Sequence, residues 1–403
     1  MIRVELIRTP FFGNRLHVVI TLSVHSILAA VLCQVFITGG YRYKEPSEPV
    51  DPEKGSITLK EGTKIFFTDQ NRIVYYYNLN CNTIANNMNF YDLYKNCRLC
   101  PRNCGVNRLD EPGEKNRGFC GQDSLLRVSY IGPHFGEEPP ISGKRGSGTI
   151  FFSGCSLKCS FCQNYQISKD GLGKSMTLKE LFENVIDMIS IKKVHNINFV
   201  TPDHFFPHVF DLVIQLREKG YTIPFVYNLS GYQSVEILKI AEDYSNIYMP
   251  DFKYSDDNTA KRFSKCGDYS YRAIEAVSEM VRQKGFLEYN RQEPEIAQEG
   301  VLIRHLIIPG NTDNSTGVLD TLFLEFGPLL PISLMSQYYP VLPNKDPDLN
   351  RKLTMQEFDK VYKHALDLGF ENLFVQFPDE NPPNRTKPPV FLPDFNKESP
   401  FLN

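Results

Sequence analysis

From Gly148 onward the chain alternates short apolar runs with amphipathic segments, and this alternation restricts the fold more than any other feature. The runs are GTIFFSG (148–154), INFV (197–200), IPFVYN (223–228), IYMPDF (247–252), VLIRHLII (301–308), LMSQY (334–338) and NLFVQF (372–377). They are too short for helices and rich in β-branched and aromatic residues, so they read as strands. The segments between them have helical period: Leu178, Leu181, Phe182, Val185, Ile186 and Ile189 share one face. Thr177 with Glu180, and Thr354 with Glu357, have the spacing of a capping box. Gly220, Gly285 and Gly369 each follow a periodic run, where a left-handed residue ends a helix. Six or seven such units predict an α/β fold, a parallel sheet with helices outside it. Functional residues in such folds collect at the C-terminal ends of the strands. That places Cys155, Asn228, Asp251, Lys253 and the Pro309–Gly310 turn on one rim.

Ten cysteines are present, and seven of them lie between Cys97 and Cys162 in two groups. Clustering of this kind reads as metal binding, which requires a reducing compartment. The second group, GCSLKCSFCQN (154–164), offers Cys155, Cys159 and Cys162 in a C-x3-C-x2-C spacing as the first strand ends. Three thiolates on one loop can each hold one iron of a [4Fe-4S] cluster. The fourth iron then lacks a protein ligand, and S-adenosylmethionine can chelate it through its amino and carboxylate groups. One electron from the cluster breaks the sulfonium C–S bond, giving methionine and a 5′-deoxyadenosyl radical; the cofactors carry the chemistry and the protein orients them. The competing reading is a tri-cysteine zinc site completed by a distant His or Cys. Phe161, just before the third cysteine, suits a residue that shields the cluster or packs on adenine.

Cys97, Cys100, Cys104 and Cys120 form the first group, spaced C-x2-C-x3-C-x15-C. Four thiolates satisfy a tetrahedral metal completely, and zinc or a second iron–sulfur cluster would both fit. Disulfides are the alternative for an oxidising environment.

Several blocks together resemble a known family: CRLCPRNCGVNR (97–108), GFCG (118–121), HFGEEPPISGKRGSGTIFFSGC (134–155), VTPDHF (200–205), YNLSGY (227–232), YMPDFKY (248–254), RHLIIPG (304–310) and MSQYYP (335–340). In this order they resemble the radical S-adenosylmethionine superfamily, and within it the homologues of the pyruvate formate-lyase activating enzyme. The likeness spans about residues 90–375. It implies a partial (β/α)6 barrel with an N-terminal cysteine-rich extension. It also implies a [4Fe-4S] cluster on Cys155, Cys159 and Cys162, S-adenosylmethionine, and an electron donor such as flavodoxin or ferredoxin. The substrate would be a protein or small molecule, with a glycyl radical enzyme as the partner the family label suggests. Many relatives carry a Gly-Gly-Glu turn after the second strand; here Thr201-Pro202-Asp203 stands there, so the backbone of Thr201 or Pro202 would meet the cofactor's amino group. Asn228 and Ser230 would contact ribose or carboxylate. Asp251-Phe252-Lys253 resembles the Asp-x-Lys of glycyl-radical activating enzymes, with the lysine meeting the cofactor. His305 or the turn PGNTD (309–313) would lie near the adenosyl moiety.

The N-terminal region poses a separate question. Leu16–Ile37 holds 22 residues without a formal charge, preceded by Arg3, Arg8 and Arg15. Its length predicts a transmembrane or signal-anchor helix. A cleaved signal would need an A-x-A site that is missing, and a mitochondrial targeting segment would fit the arginines but not the long apolar run. The expected organisation is a flank (1–15), this segment (16–37), a linker and extension (38–96), a cysteine-rich knuckle (97–121), the barrel (122–377) and a proline-rich, irregular tail (378–403). The catalytic part is expected on the cytoplasmic or mitochondrial, reducing side of a membrane. A net charge of −3 gives no electrostatic footprint for nucleic acid. His204 and His208 share a helical face but lack a carboxylate motif, so they read as surface or rim residues. The rival to the enzyme is a membrane-tethered zinc scaffold in which both cysteine groups are structural.

Overall fold

The computed structural model describes residues 89–111, 113–378 and 392–401, together with five strands nearer the N-terminus. The chain divides into two units, Met1–Asn89 and Phe90–Asn403. In the first unit β1 (Arg3–Ile7) pairs antiparallel with β2 (His17–Thr21). Strands β3 (Ser56–Thr58), β4 (Lys64–Thr68) and β5 (Arg72–Tyr76) form an antiparallel meander. This corrects the expectation of a transmembrane helix over 16–37. His17–Thr21, inside that segment, is a strand, and Val18, Val19 and Ile20 are β-branched residues that suit one. No helix among the described residues is long and apolar enough to cross a membrane. Residues 22–37 lie outside the described residues.

The second unit contains β6 (Arg127–His134), β7 (Ser147–Phe152), β8 (Lys174–Ser175), β9 (Ile197–Val200), β10 (Phe225–Leu229), β11 (Ile247–Pro250), β12 (Glu288–Tyr289), β13 (Ala297–Val301), β14 (Ile303–Leu306), β15 (Ile332–Met335) and β16 (Leu373–Gln376). One sheet has the order β12-β13-β11-β10-β9-β7-β6-β8 and a second the order β14-β15-β16. From β7 through β9, β10 and β11 to β13 every neighbour is parallel, as are β14, β15 and β16. A parallel bridge between Asp251 and Arg304 joins the two sheets. The result is the expected α/β architecture, an open barrel wrapped by helices. Every residue of β7, β9, β10, β11 and β15 is buried. Burial on both faces explains why their sequences are continuous apolar runs rather than alternating ones.

Two departures from the sequence reading matter for the site. The run at 301–308 is not one strand: it ends β13, which pairs with β11, breaks at Leu302 and resumes as β14, which pairs with β15. Strand β6 has no clean alternation and was not foreseen. It runs antiparallel to β7, with His134 opposite Ser147. The loop that follows it therefore lies at the N-terminal end of the parallel strands, opposite the loop that leaves β7.

Both capping boxes form. Glu357 does more than cap the helix Met355–Leu368. Its carboxylate accepts the Gly310 N–H at 2.7 Å and both terminal nitrogens of Arg351 at 2.8 Å. It thereby ties this helix to the Pro309–Gly310 turn. Arg351 and these backbone donors hold Glu357 down to about 2, from an ordinary 4.5. A depressed carboxylate stabilises the fold above its unfolded pKa, and the contribution is lost as pH falls through the folded one. Glu357→Gln should therefore lower the urea midpoint at pH 7. The gap to the parent protein should close as pH falls from about 4.5 toward 2, which denaturation curves at several pH values would reveal.

Candidate functional site

The loop leaving β7 begins at Gly154, whose φ of +91° only glycine adopts freely. A side chain there would meet Gln122 Cγ at 2.6 Å and the Cys120 carbonyl at 2.9 Å. Each of the three sulfurs on this loop accepts a hydrogen bond. The Leu157 N–H donates to Cys155 at 3.3 Å, the Ser264 hydroxyl to Cys159 at 3.0 Å, and the Ser168 hydroxyl to Cys162 at 3.2 Å. Ser264 ends the helix Asp257–Ser264, and the Tyr254 hydroxyl lies 2.6 Å from its Oγ. Burial, with Cys159 and Cys162 adding to it, pushes the Cys155 thiol up to about 12. Thiolates in such surroundings need a cation, and a metal ligated by them supplies it. Hydrogen bonds to sulfur are also a lever by which proteins set iron–sulfur potentials. The donor set therefore fits a three-cysteine cluster. Phe161 is buried beside it, edge-on to Phe263 and Tyr254 with centroids at 5.9 and 6.5 Å.

A cavity of about 860 Å³ opens from these sulfurs into the barrel. Phe161, Thr201, Asn228, Ser230, Asp251 and Lys253 all line it, so the fold gathers these expected residues around the cysteine loop. Thr201 has a φ of +55°, a strained conformation for a β-branched residue, and its N–H donates to the Asn228 carbonyl at 2.9 Å. Pro202 and His305 are not among the lining residues. His305 instead faces the Phe252 carbonyl, with Nδ1 at 2.7 Å. Strand alternation is the reason: Arg304 and Leu306 point into the cavity and His305 points away.

Arg304 is a site residue that sequence reasoning missed. Its Nε donates to Asp251 at 2.9 Å, Nη1 to Glu137 at 3.2 Å and Nη2 to Asn228 at 2.7 Å. Lys253 adds a second cation, with Nζ 2.5 Å from Asp251. Burial alone would raise Asp251, but Arg304 and Lys253 outweigh it and hold this carboxyl below its ordinary range. Burial likewise works against the Lys253 charge, and Asp251 overrides it. Glu137 and Glu138 come from the loop after β6 and also line the cavity. A signal for all three was present. A charge inside an apolar strand run, or acids before a Pro-Pro pair, implies partners in the interior.

Cys97, Cys100, Cys104 and Cys120 lie close enough to influence one another electrostatically, and burial pushes Cys100 and Cys120 up. Gly118 sits between Cys104 and Cys120; a Cβ there would be 3.4 and 3.6 Å from their sulfurs. The Phe119 N–H donates to Cys104 at 3.2 Å, and the buried Arg108 guanidinium lies 3.8 Å from the Cys97 sulfur. Among the described residues no three His, Cys, Asp or Glu side chains close on a single ion position. The knuckle is fastened to the neighbouring loop by Arg102. It donates to the carbonyls of Ser156 at 2.8 Å, Ser264 at 2.8 Å and Lys265 at 2.6 Å, and stacks on Phe119 at 3.9 Å.

His204 and His208 are not surface or rim residues: both are buried. His204 Nε2 lies 2.6 Å from the Ser153 carbonyl, and His208 Nδ1 lies 2.9 Å from the Tyr94 hydroxyl. Burial and the nearby Arg108 hold each down to about 3. The described part of the tail, residues 392–401, has turns and bends but no helix or strand. Residues 392–401 fold back, with the Phe401 ring 4.1 Å from His134 and the Phe395 N–H donating to Gln166 at 2.8 Å. Pro393, Ser399 and Phe401 close one side of the cavity.

Arg102→Lys would keep a charge but lose the planar fork and the stacking. We expect it to lower stability by about 2 kcal/mol in urea unfolding, as hydrogen bonds from a charged donor are worth about that much.

The model of the Radical SAM superfamily matches residues 149–322. An uncharacterized protein of Methanocaldococcus jannaschii is 31% identical over 291 residues, covering 70% of this chain and 78% of the relative. Among solved structures, anSMEcpe with bound AdoMet aligns with a TM-score of 0.37 at 13% identity, over 57% of this chain and 58% of that one. SuiB of Streptococcus suis gives 0.37 at 12% identity, over 55% and 47%. This chain thus spans less than two thirds of either solved structure.

Proposed function

This chain belongs to the radical SAM superfamily, and we propose that Cys155, Cys159 and Cys162 hold a [4Fe-4S] cluster with S-adenosylmethionine beside it in the barrel cavity. The observation that carries this reading is the hydrogen bond received by each of the three sulfurs where the loop meets that cavity. When bound, the cluster and S-adenosylmethionine together supply a 5′-deoxyadenosyl radical that abstracts hydrogen from a substrate. The chain's own residues do the rest. Ser264 and Ser168 donate to sulfur and fix the ligands' orientation. Lys253, held charged by Asp251, offers a counter-ion for a carboxylate near Cys162. Thr201, Asn228 and Ser230 present polar groups to the cavity wall, and Phe161 keeps water from the cysteine loop. His305, turned away behind Arg304, is left out of this assignment.

Cys97, Cys100, Cys104 and Cys120 we assign to a second metal centre, zinc or iron–sulfur. Two such thiol groups require a reducing compartment. A glycyl residue of a partner protein is a substrate that Asp251-Phe252-Lys253 favours by resemblance to the activating enzymes.

Anaerobic reconstitution with iron, sulfide and zinc quantification, joined to an assay for 5′-deoxyadenosine, tests the reading. Iron and sulfide should accompany reductive cleavage of S-adenosylmethionine. Cys155→Ala, Cys159→Ala and Cys162→Ala should each abolish it. Cys97→Ser should instead change the metal content and leave the cluster on the barrel loop detectable. Zinc alone, with no cleavage, would sink the proposal and favour a structural role.

A further inference from the structure

The cavity wall holds three carboxylates, Glu137, Glu138 and Asp251, but two obligate cations, Lys253 and Arg304. The cations are already committed. Lys253 pairs with Asp251, and Arg304 divides its donors among Asp251, Glu137 and Asn228. The other oxygen of Glu137 accepts from Asn198 at 3.0 Å. Glu138 is the acid left over. It is 9% exposed, it lines the cavity, Ser333 hydrogen-bonds its carboxyl, and its Oε2 has no hydrogen-bond partner among the described residues. Burial, opposed by Arg304 and reinforced by Glu137, raises its pKa. Of the other titratable groups lining the cavity on this side, His134 is held down to about 4 by burial and Tyr130 is pushed up by burial, so neither supplies a cation near neutral pH. A buried carboxylate with a free oxygen either stays protonated or awaits a cation.

Its position is equally informative. Glu138 follows β6, at the N-terminal end of the parallel strands, beside Ser333 near the start of β15. The cysteine loop leaves the C-terminal end of β7. The two groups therefore mark opposite ends of one continuous space, whose volume of about 860 Å³ is toward the upper end of the range of ligand pockets.

We propose that Glu138 recognises a positively charged group, an ammonium or a guanidinium, on the substrate, and holds it at the end of the cavity remote from the cysteine loop. This rests on the radical SAM reading, which gives the cysteine end to the cofactor. The cation would reach Glu138 as a small amine or as a lysine or arginine side chain of a peptide, since both present the same chemistry to the carboxylate.

The test uses the full chain, anaerobically reconstituted and saturated with S-adenosylmethionine. Dissociation constants are measured by NMR titration for n-butylammonium, n-butylguanidinium, neutral n-pentanol, and short peptides with and without a lysine or arginine. We expect the cations to bind about tenfold more tightly than the alcohol, as a charged hydrogen bond in a dry site would give. Glu138→Gln should erase that preference and leave the affinity for S-adenosylmethionine unchanged. Tight binding of the free amines, or of the basic peptides alone, would each support the proposal and tell the two sources apart. Equal affinity for cation and alcohol in the parent protein would overturn it, leaving a buried water as the partner of Glu138. Weakened S-adenosylmethionine binding in Glu138→Gln, with cation preference intact, would also overturn it and assign the residue to the cofactor. Should that variant not fold, the comparison of cation with alcohol in the parent still decides. Cleavage of S-adenosylmethionine without cation preference would defeat this inference alone; cation preference without cleavage would defeat the functional reading alone.

Discussion

Arg304 is the joint on which the barrel depends. Residue 304 is where the second sheet meets the first, through the bridge to Asp251, and its side chain then reaches back to β10 and to the loop after β6. One guanidinium thus orients elements far apart in sequence. Its burial is expensive, and ion pairs of this kind rarely repay desolvation in net stability. Their return is geometric. Arg304 cannot move without stranding Glu137 as an unpaired buried charge and leaving Asp251 to Lys253 alone, which favours the arrangement the cavity wall has. A wall that must hold a cofactor and a substrate in register needs that rigidity.

A second constraint acts from outside the barrel. Arg102 sits between Cys100 and Cys104 in the knuckle, yet its donors go to the cysteine loop and to the end of the helix that carries Ser264. Ser264 in turn donates to Cys159. Whatever fixes the knuckle therefore fixes a hydrogen bond to a barrel sulfur two contacts away. The tight approach of Cys120 to Gly154 closes the same interface from the other side. The two cysteine groups read separately along the sequence, but they share one packed boundary.

How much of this was legible in the sequence follows from the range of the interactions. Strands buried on both faces, capping boxes and left-handed glycines are local, and Thr177, Thr354 and Gly369 could be read from their immediate neighbours. The cysteine loop was legible because its ligands lie on one turn. Asn228, Asp251 and Lys253 could be placed on a common rim with Cys155 because parallel strands end together, whereas Thr201 and Ser230 were legible through the family resemblance. His305 lies outside the cavity lining because Arg304 and Leu306 take the inward positions of β14, and the break at Leu302 sets which face that is. Arg304 with Glu137 could not be paired, because their contact spans residues that no local pattern relates. The apolar stretch at 16–37 was read by its length and flanking arginines, whereas the β-branched run Val18–Ile20 was the better guide to its first residues.

The strain at Thr201 bears on how the cavity was built. A left-handed β-branched residue at a strand end persists only where surrounding contacts over-determine it. Here the Thr201 N–H is spent on the Asn228 carbonyl, and Asn228 is itself gripped by Arg304. The twist that turns the Thr201 backbone toward the cavity is therefore held by the same guanidinium that pairs the wall's carboxylates. A glycine would reach that conformation without strain, but it would also leave the turn free to relax. The threonine is locked by its neighbours. A backbone surface next to the cysteine loop is thereby fixed before any ligand arrives, at the cost of strain that Arg304 and its partners can sustain.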